Sequence, residues 1–169
     1  MAHWLARLVK NRLYDEGDAR RLLGKDALAR IEARVAASEK RHSGEIRVVV
    51  EAGLPVSYLR AKATPRDRAI KLFGKLGVWD TERNNGVLIY LLIAERAIEI
   101  VADRGVNRVV SAAEWAEIAA SMQSAFQAGD FEAGLLRAVD AVDALLVRHF
   151  AARPGDVDVN ELPDAPLLR

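Results

Sequence analysis

The chain has 169 residues, half of them hydrophobic, with 25 Lys and Arg against 24 Asp and Glu and no cysteine. That length suits one domain with short appendages, and the missing thiols exclude disulfides, thiolate metal sites and cysteine nucleophiles. No run of about 18 apolar residues is free of charge, so no membrane span is predicted, and with no leader pattern read at the N-terminus a cytoplasmic place is expected.

Trp4, Leu5, Leu8, Val9 and Leu13 recur at helical spacing beside Arg7, Lys10 and Arg12. This predicts a basic amphipathic helix over 3–13, suited either to docking on the domain or to peripheral membrane contact. Residues 1–44 carry ten Lys and Arg against six Asp and Glu, which favours an anionic partner or a solvated face. Residues 1–24 are read as this helix and a linker, broken at Gly17. A second helix is predicted from Lys25 to His42, with Asp26 as its cap.

Glu45–Glu51 reads as a strand, β-branched in the middle with charges marking its ends. Residues 57–64 are ambiguous. Thr64 and Pro65 suit the start of a helix carrying Ala69, Ile70, Leu72, Phe73 and Leu76. After the loop Trp79–Gly86, the apolar run Val87–Ile93 reads as a strand buried on both faces. A tight turn at 94–96 leads to a hairpin partner at 97–101. Ser111 and Glu114 have capping-box spacing and open a helix expected to bury Trp115, Ile118, Ala119, Met122 and Phe126. After Gly129-Asp130, a last helix carries Phe131, Leu135, Leu136, Val139, Val142, Leu145, Leu146 and Phe150. Residues 25–150 then form the domain, and 151–169 a polar, Pro-containing tail expected to be mobile. The fold class is α/β: a small mixed sheet with a parallel βαβ unit and a hairpin, and helices on both faces.

The polar residues at the strand ends are Asp80, Thr81, Asn84, Asn85, Asp103 and Arg104. Hairpin pairing brings 84–85 beside 103–104, at the mouth of the central strand, where α/β proteins tend to place ligands. These are the ligand-binding candidates. Carboxylate and amide oxygens suit Ca²⁺ or Mg²⁺, with Asp80, Asn84 and Asp103 as the metal candidates. Arg104 suits a phosphate or carboxylate. The same Asn-Asn-Gly also serves turn geometry alone. His3, His42 and His149 are scattered and lack metal-ligand spacing. The chain has no P-loop, no dinucleotide fingerprint and no Gly-x-Ser-x-Gly elbow. Aromatic residues are few, and no nucleic-acid partner is expected.

Ser43-Gly44-Glu45-Ile46-Arg47-Val48-Val49-Val50, Val78-Trp79-Asp80-Thr81, Asn84-Asn85-Gly86-Val87-Leu88-Ile89-Tyr90, Ile98-Glu99-Ile100-Val101-Ala102-Asp103-Arg104-Gly105 and Phe126-Gln127-Ala128-Gly129-Asp130-Phe131 occur in that order. The ordered set resembles the TPM-domain family. The resemblance implies a three-layer α/β/α sandwich. It also brings relatives that include a plant thylakoid-lumen acid phosphatase and calcium binders, and partners such as a LemA-type membrane protein or another TPM-domain protein. Ser111-Ala112 stands where the family's later aspartate falls, and Asp18 matches an earlier one. The function expected is a non-catalytic binding or adaptor domain at the inner face of the membrane. The alternative is a weak metal-assisted phosphoester hydrolase.

Overall fold

The computed structural model describes residues 2–153 and 160–169. Its elements are α1 (Ala2–Arg12), α2 (Glu16–Glu39), β1 (Ile46–Glu51), α3 (Val56–Arg60), α4 (Pro65–Lys75), β2 (Val87–Leu92), β3 (Ala97–Ala102), α5 (Arg104–Asn107), α6 (Ala112–Ala128), α7 (Phe131–Phe150) and β4 (Leu167–Leu168). The sheet order is β3-β2-β1-β4. β1 and β2 are parallel, in register from Ile46 opposite Val87 to Glu51 opposite Leu92. β2 and β3 form the antiparallel hairpin.

Side chains alternate across a strand, so β1 and β2 feed two cores. Ile46, Val48, Val50, Val87, Ile89 and Leu91 pack with α2, α6 and α7. Val49, Leu88, Tyr90 and Leu92 pack with residues of α3 and α4. Both strands are buried along their whole length, as a sheet covered on both faces requires. The result is the three-layer α/β/α sandwich. The predicted caps are present: Thr64 with Asp67 starts α4, and Ser111 with Glu114 starts α6. Each pair satisfies two N–H groups that a helix start leaves orphaned.

Three expectations change. Residues 16–23 are helix rather than linker, opened by a capping box of Asp15 and Asp18 instead of by Asp26. Gly24, at φ 74° and ψ 161°, breaks α2 internally. Even so, the buried residues Ala19, Leu23, Ala27, Ile31 and Val35 keep a four-residue step through the kink; its alanines make that stripe easy to overlook. In α6, Met122 and Phe126 are buried, Trp115 and Ile118 half-buried, and Ala119 exposed, because this helix lies over the edge strand β3 rather than the middle of the sheet.

The tail is the third correction. Part of it, 154–159, lies outside the described residues, but 160–169 packs against the sheet instead of staying loose. β4 runs parallel to β1, with Leu167 opposite Val49 and Leu168 opposite Val50. Two leucines on opposite faces carry no readable period, which hides this strand in the sequence.

Candidate functional site

The loop before β2 is built from backbone. Asn84 adopts a left-handed conformation at φ 53°, which asparagine tolerates better than most residues. The Thr81 hydroxyl accepts from the Asn85 N–H at 3.0 Å, and Asn85 Nδ2 donates to the Ser43 carbonyl at 2.8 Å. A Cβ on Gly86 would lie 2.0 Å from the Val78 carbonyl, and one on Gly105 would lie 2.4 Å from that of Asn84. Hairpin pairing brings the two segments together as expected: Asp103 N–H donates to Gly86 O at 2.9 Å, and Gly105 N–H to Asn84 O at 2.9 Å.

The candidates divide by burial. Thr81, Asn85 and Asp103 are buried, whereas Asp80, Asn84 and Arg104 are exposed. Asp103 caps α5, its Oδ1 accepting from Arg104 N–H at 2.6 Å. Its Oδ2 and the Oδ1 of Asn85 are buried with no donor among the described residues, a demand that one or two ordered waters suit. Two buried oxygens, one of them charged, fall short of the six to eight that Ca²⁺ takes. Among the described residues no group of three or more His, Asp or Glu is arranged for a metal ion. Asp18 is occupied in the α2 capping box. The loop also lies at the amino ends of β1 and β2, whereas ligand crevices in open α/β sheets lie outside the carboxyl ends. The expectation from strand position is corrected accordingly.

At those carboxyl ends lies a buried network that the sequence reading missed. Glu51 accepts from Arg68 Nη2 at 2.5 Å, from Arg68 Nε at 2.9 Å and from the Tyr90 hydroxyl at 2.7 Å. The Arg68 guanidinium stacks 4.8 Å from the Tyr58 ring. The hydrogen bonds that Arg68 donates to the Glu51 carboxylate hold its pKa above the ordinary range, and burial raises that of Tyr90. The signal was period two: Glu45, Arg47 and Glu51 lie on one face of β1, and all three are buried.

Glu45 and Arg47 hold the tail. The Glu45 carboxylate accepts from the N–H groups of Glu161 and Leu162, both at 3.1 Å. Arg47 donates to the carbonyls of Pro163 and Ala165 at 2.7 and 2.5 Å. Glu39 meets Asp164, and burial first, then the Glu45 and Asp164 charges, push its pKa up to about 9. His42 is fully buried. Its Nδ1 accepts from Gly44 N–H at 3.2 Å, which requires the neutral ring, and burial lowers its pKa to about 4. Asp143 Oδ1 stands 3.6 Å from His42 Nε2, beyond hydrogen-bond reach.

α1 docks in an unusual sense. Its inward side packs Leu8 on the core but is fixed by polar groups: Asn11 Oδ1 accepts from Leu54 N–H at 2.8 Å and Asn11 Nδ2 donates to Glu95 at 3.0 Å. Arg7 Nε pairs with Glu95 at 2.7 Å, and Trp4 Nε1 donates to Leu59 O at 3.3 Å. The opposite side is apolar. Leu5, Val9 and Leu13, spaced by four, are 53%, 56% and 71% exposed. Lys10 and Arg12 flank them, and Trp4 and Leu5 share a surface groove with Arg60 and Lys62.

The TPM domain matches residues 17–145. No curated protein matches the chain. Among solved structures, the chain is similar to the BA42 protein of the psychrophilic bacterium Bizionia argentinensis. That match has 29% identity and a TM-score of 0.74, over 85% of this chain and 93% of that one. The N-terminal domain of a P. gingivalis protein shares the fold at 22% identity and a TM-score of 0.63, over 79% of this chain and 83% of that one.

Proposed function

The chain belongs to the TPM domain family, and on that premise we propose that it is a non-catalytic binding domain held at an anionic membrane surface by α1. One observation carries this reading: a helix anchored through Arg7 and Asn11 turns Leu5, Val9 and Leu13 to solvent beside Lys10, Arg12, Arg60 and Lys62. Apolar groups on the outer face with cations beside them are what an interfacial helix needs. Each Leu or Val transferred from water contributes about 1.5–3 kcal/mol at full burial, and each cation close to anionic lipid about 1 kcal/mol. Among the described residues no helix is long and apolar enough to cross a membrane, so the contact proposed is peripheral. A membrane-protein partner, as the family resemblance implies, would meet the domain at that surface.

The hydrolase reading has less support. Asp103 and Asn85 brace the loop backbone, and Asp80 is exposed with no side-chain hydrogen bond among the described residues. The test is co-sedimentation with phosphatidylcholine vesicles with and without phosphatidylglycerol. Binding should need the anionic lipid, fall as salt rises and disappear in Leu5→Glu/Val9→Glu. Protein left in the supernatant at every lipid composition sinks the proposal.

A further inference from the structure

A cleft of about 290 Å³ separates α6 from the edge strand β3. It is independent of the strand-end loop and of α1. One wall is Ile98, Ile100 and Ala102, the face of β3 turned toward α6; the other is the α6 stripe Ala112, Trp115, Ala116, Ala119 and Met122. Alanines at three positions of that stripe leave the space open. The volume is at the small end of ligand pockets, which run from about 300 to 1,000 Å³.

Beside Asn107, whose Nδ2 is committed to the Ala102 carbonyl, two polar features break the apolar lining. Arg66 reaches from α4 around β3, donating through Nη1 to the Ile100 carbonyl. The same Nη1 lies 3.6 Å from Glu99, whose position in β3 alternates with Ile98 and Ile100 and so points to the other face of the sheet. Among the described residues Nε and Nη2 have no acceptor. The second feature is the Trp115 indole: its Nε1–H is buried and likewise has no acceptor among the described residues. An unmet buried donor is costly enough to be rare.

We infer that this cleft binds a small amphipathic carboxylate, with its hydrocarbon body between β3 and α6 and its carboxylate at Arg66. A planar guanidinium with two adjacent N–H groups in hand matches a carboxylate fork, and among the described residues no second charged side chain lines the cleft. A ligand oxygen is also the acceptor that the Trp115 N–H lacks.

Octanoate and octanol are the probes, titrated separately into the ¹⁵N-labelled full chain by NMR. Octanoate should give saturable shifts at the Trp115 indole N–H and the Ile98 and Ile100 amides, and should bind more tightly than octanol. Arg66→Gln should weaken octanoate roughly tenfold, the scale of a lost charged hydrogen bond, and leave octanol unchanged. Ala116→Leu should abolish both by filling the cleft; Ala119→Leu serves if the first variant folds poorly. No saturable shift at Trp115, shifts at Trp4 in its place, or equal octanoate affinity in wild type and Arg66→Gln would overturn the inference. Vesicle binding by α1 has no bearing on these outcomes.

Discussion

Glu39→Gln is expected to remove the loss of stability that the protein suffers as pH rises above neutrality. The folded Glu39 carboxyl ionises at about 9 and its unfolded counterpart at 4.5. Between these values the folded state holds the extra proton, so stability is full below 4.5 and declines as pH climbs toward 9. The slope is about 1.4 kcal/mol per pH unit. His42 opposes it below 6.5, where unfolding takes up a proton that the buried ring, at about 4, refuses. The two slopes cancel between 4.5 and 6.5, and above 6.5 Glu39 acts alone. Wild type should therefore lose about 3 kcal/mol between pH 6.5 and 9. Gln keeps an oxygen for the Ile46 N–H, which Glu39 Oε1 accepts at 3.1 Å, and an N–H for Asp164. Urea unfolding at pH 6.5, 7.5 and 8.5 reads the effect: a falling midpoint in wild type and a level one in Glu39→Gln. Parallel pH profiles for the two proteins would refute the buried, protonated carboxyl and its contact with Asp164.

The same variant should unmask His42: in Glu39→Gln, stability should drop by about 3 kcal/mol as pH falls from 6.5 to 4, and a flat acid limb in denaturant titrations would contradict a neutral, buried ring. Arg68→Met leaves Glu51 buried beside the Tyr90 hydroxyl without its bidentate partner and should cost about 3–5 kcal/mol, with Glu51→Gln/Arg68→Met recovering part of the loss in calorimetry. Gly86→Ala drives a Cβ to 2.0 Å from the Val78 carbonyl and should cost about 3 kcal/mol or more. Gly74→Ala, with nothing within 4 Å of the new atom, should be neutral or gain up to about 1 kcal/mol; similar melting temperatures for the two alanine variants would contradict the loop packing.

What was legible in the sequence was what repeats. Alternation and β-branching announced β1, the apolar run announced β2, and Thr64, Asp67, Ser111 and Glu114 announced two helix starts through local chemistry. The approach of Asn84 and Asn85 to Asp103 and Arg104 followed from the hairpin alone. The rest depended on contacts across long separations. Glu51 meets Arg68 across a crossover, and Glu45 meets Leu162 from opposite ends of the domain; nothing local marks either pair. Asn84, Asn85 and Gly86 stood out in the sequence because close backbone approach restricts residue type as strongly as ligand binding does. The orientation of α1 was hidden for a related reason. Its period showed an apolar stripe, but only tertiary contacts, such as those of Asn11 with Leu54 and Glu95 and of Arg7 with Glu95, show which side faces inward.

That orientation is the centre of the account. In Trp79→Phe/Trp115→Phe, Trp4 is the sole tryptophan and is excited selectively over the three tyrosines; it is 39% exposed at the edge of the α1 apolar face. Its emission should shift to the blue on adding phosphatidylglycerol vesicles. It should also be quenched by lipids brominated near the headgroup end of the acyl chain, since an interfacial helix sits about 5–10 Å into that boundary. Emission unchanged and unquenched at saturating anionic lipid would contradict a membrane-facing α1.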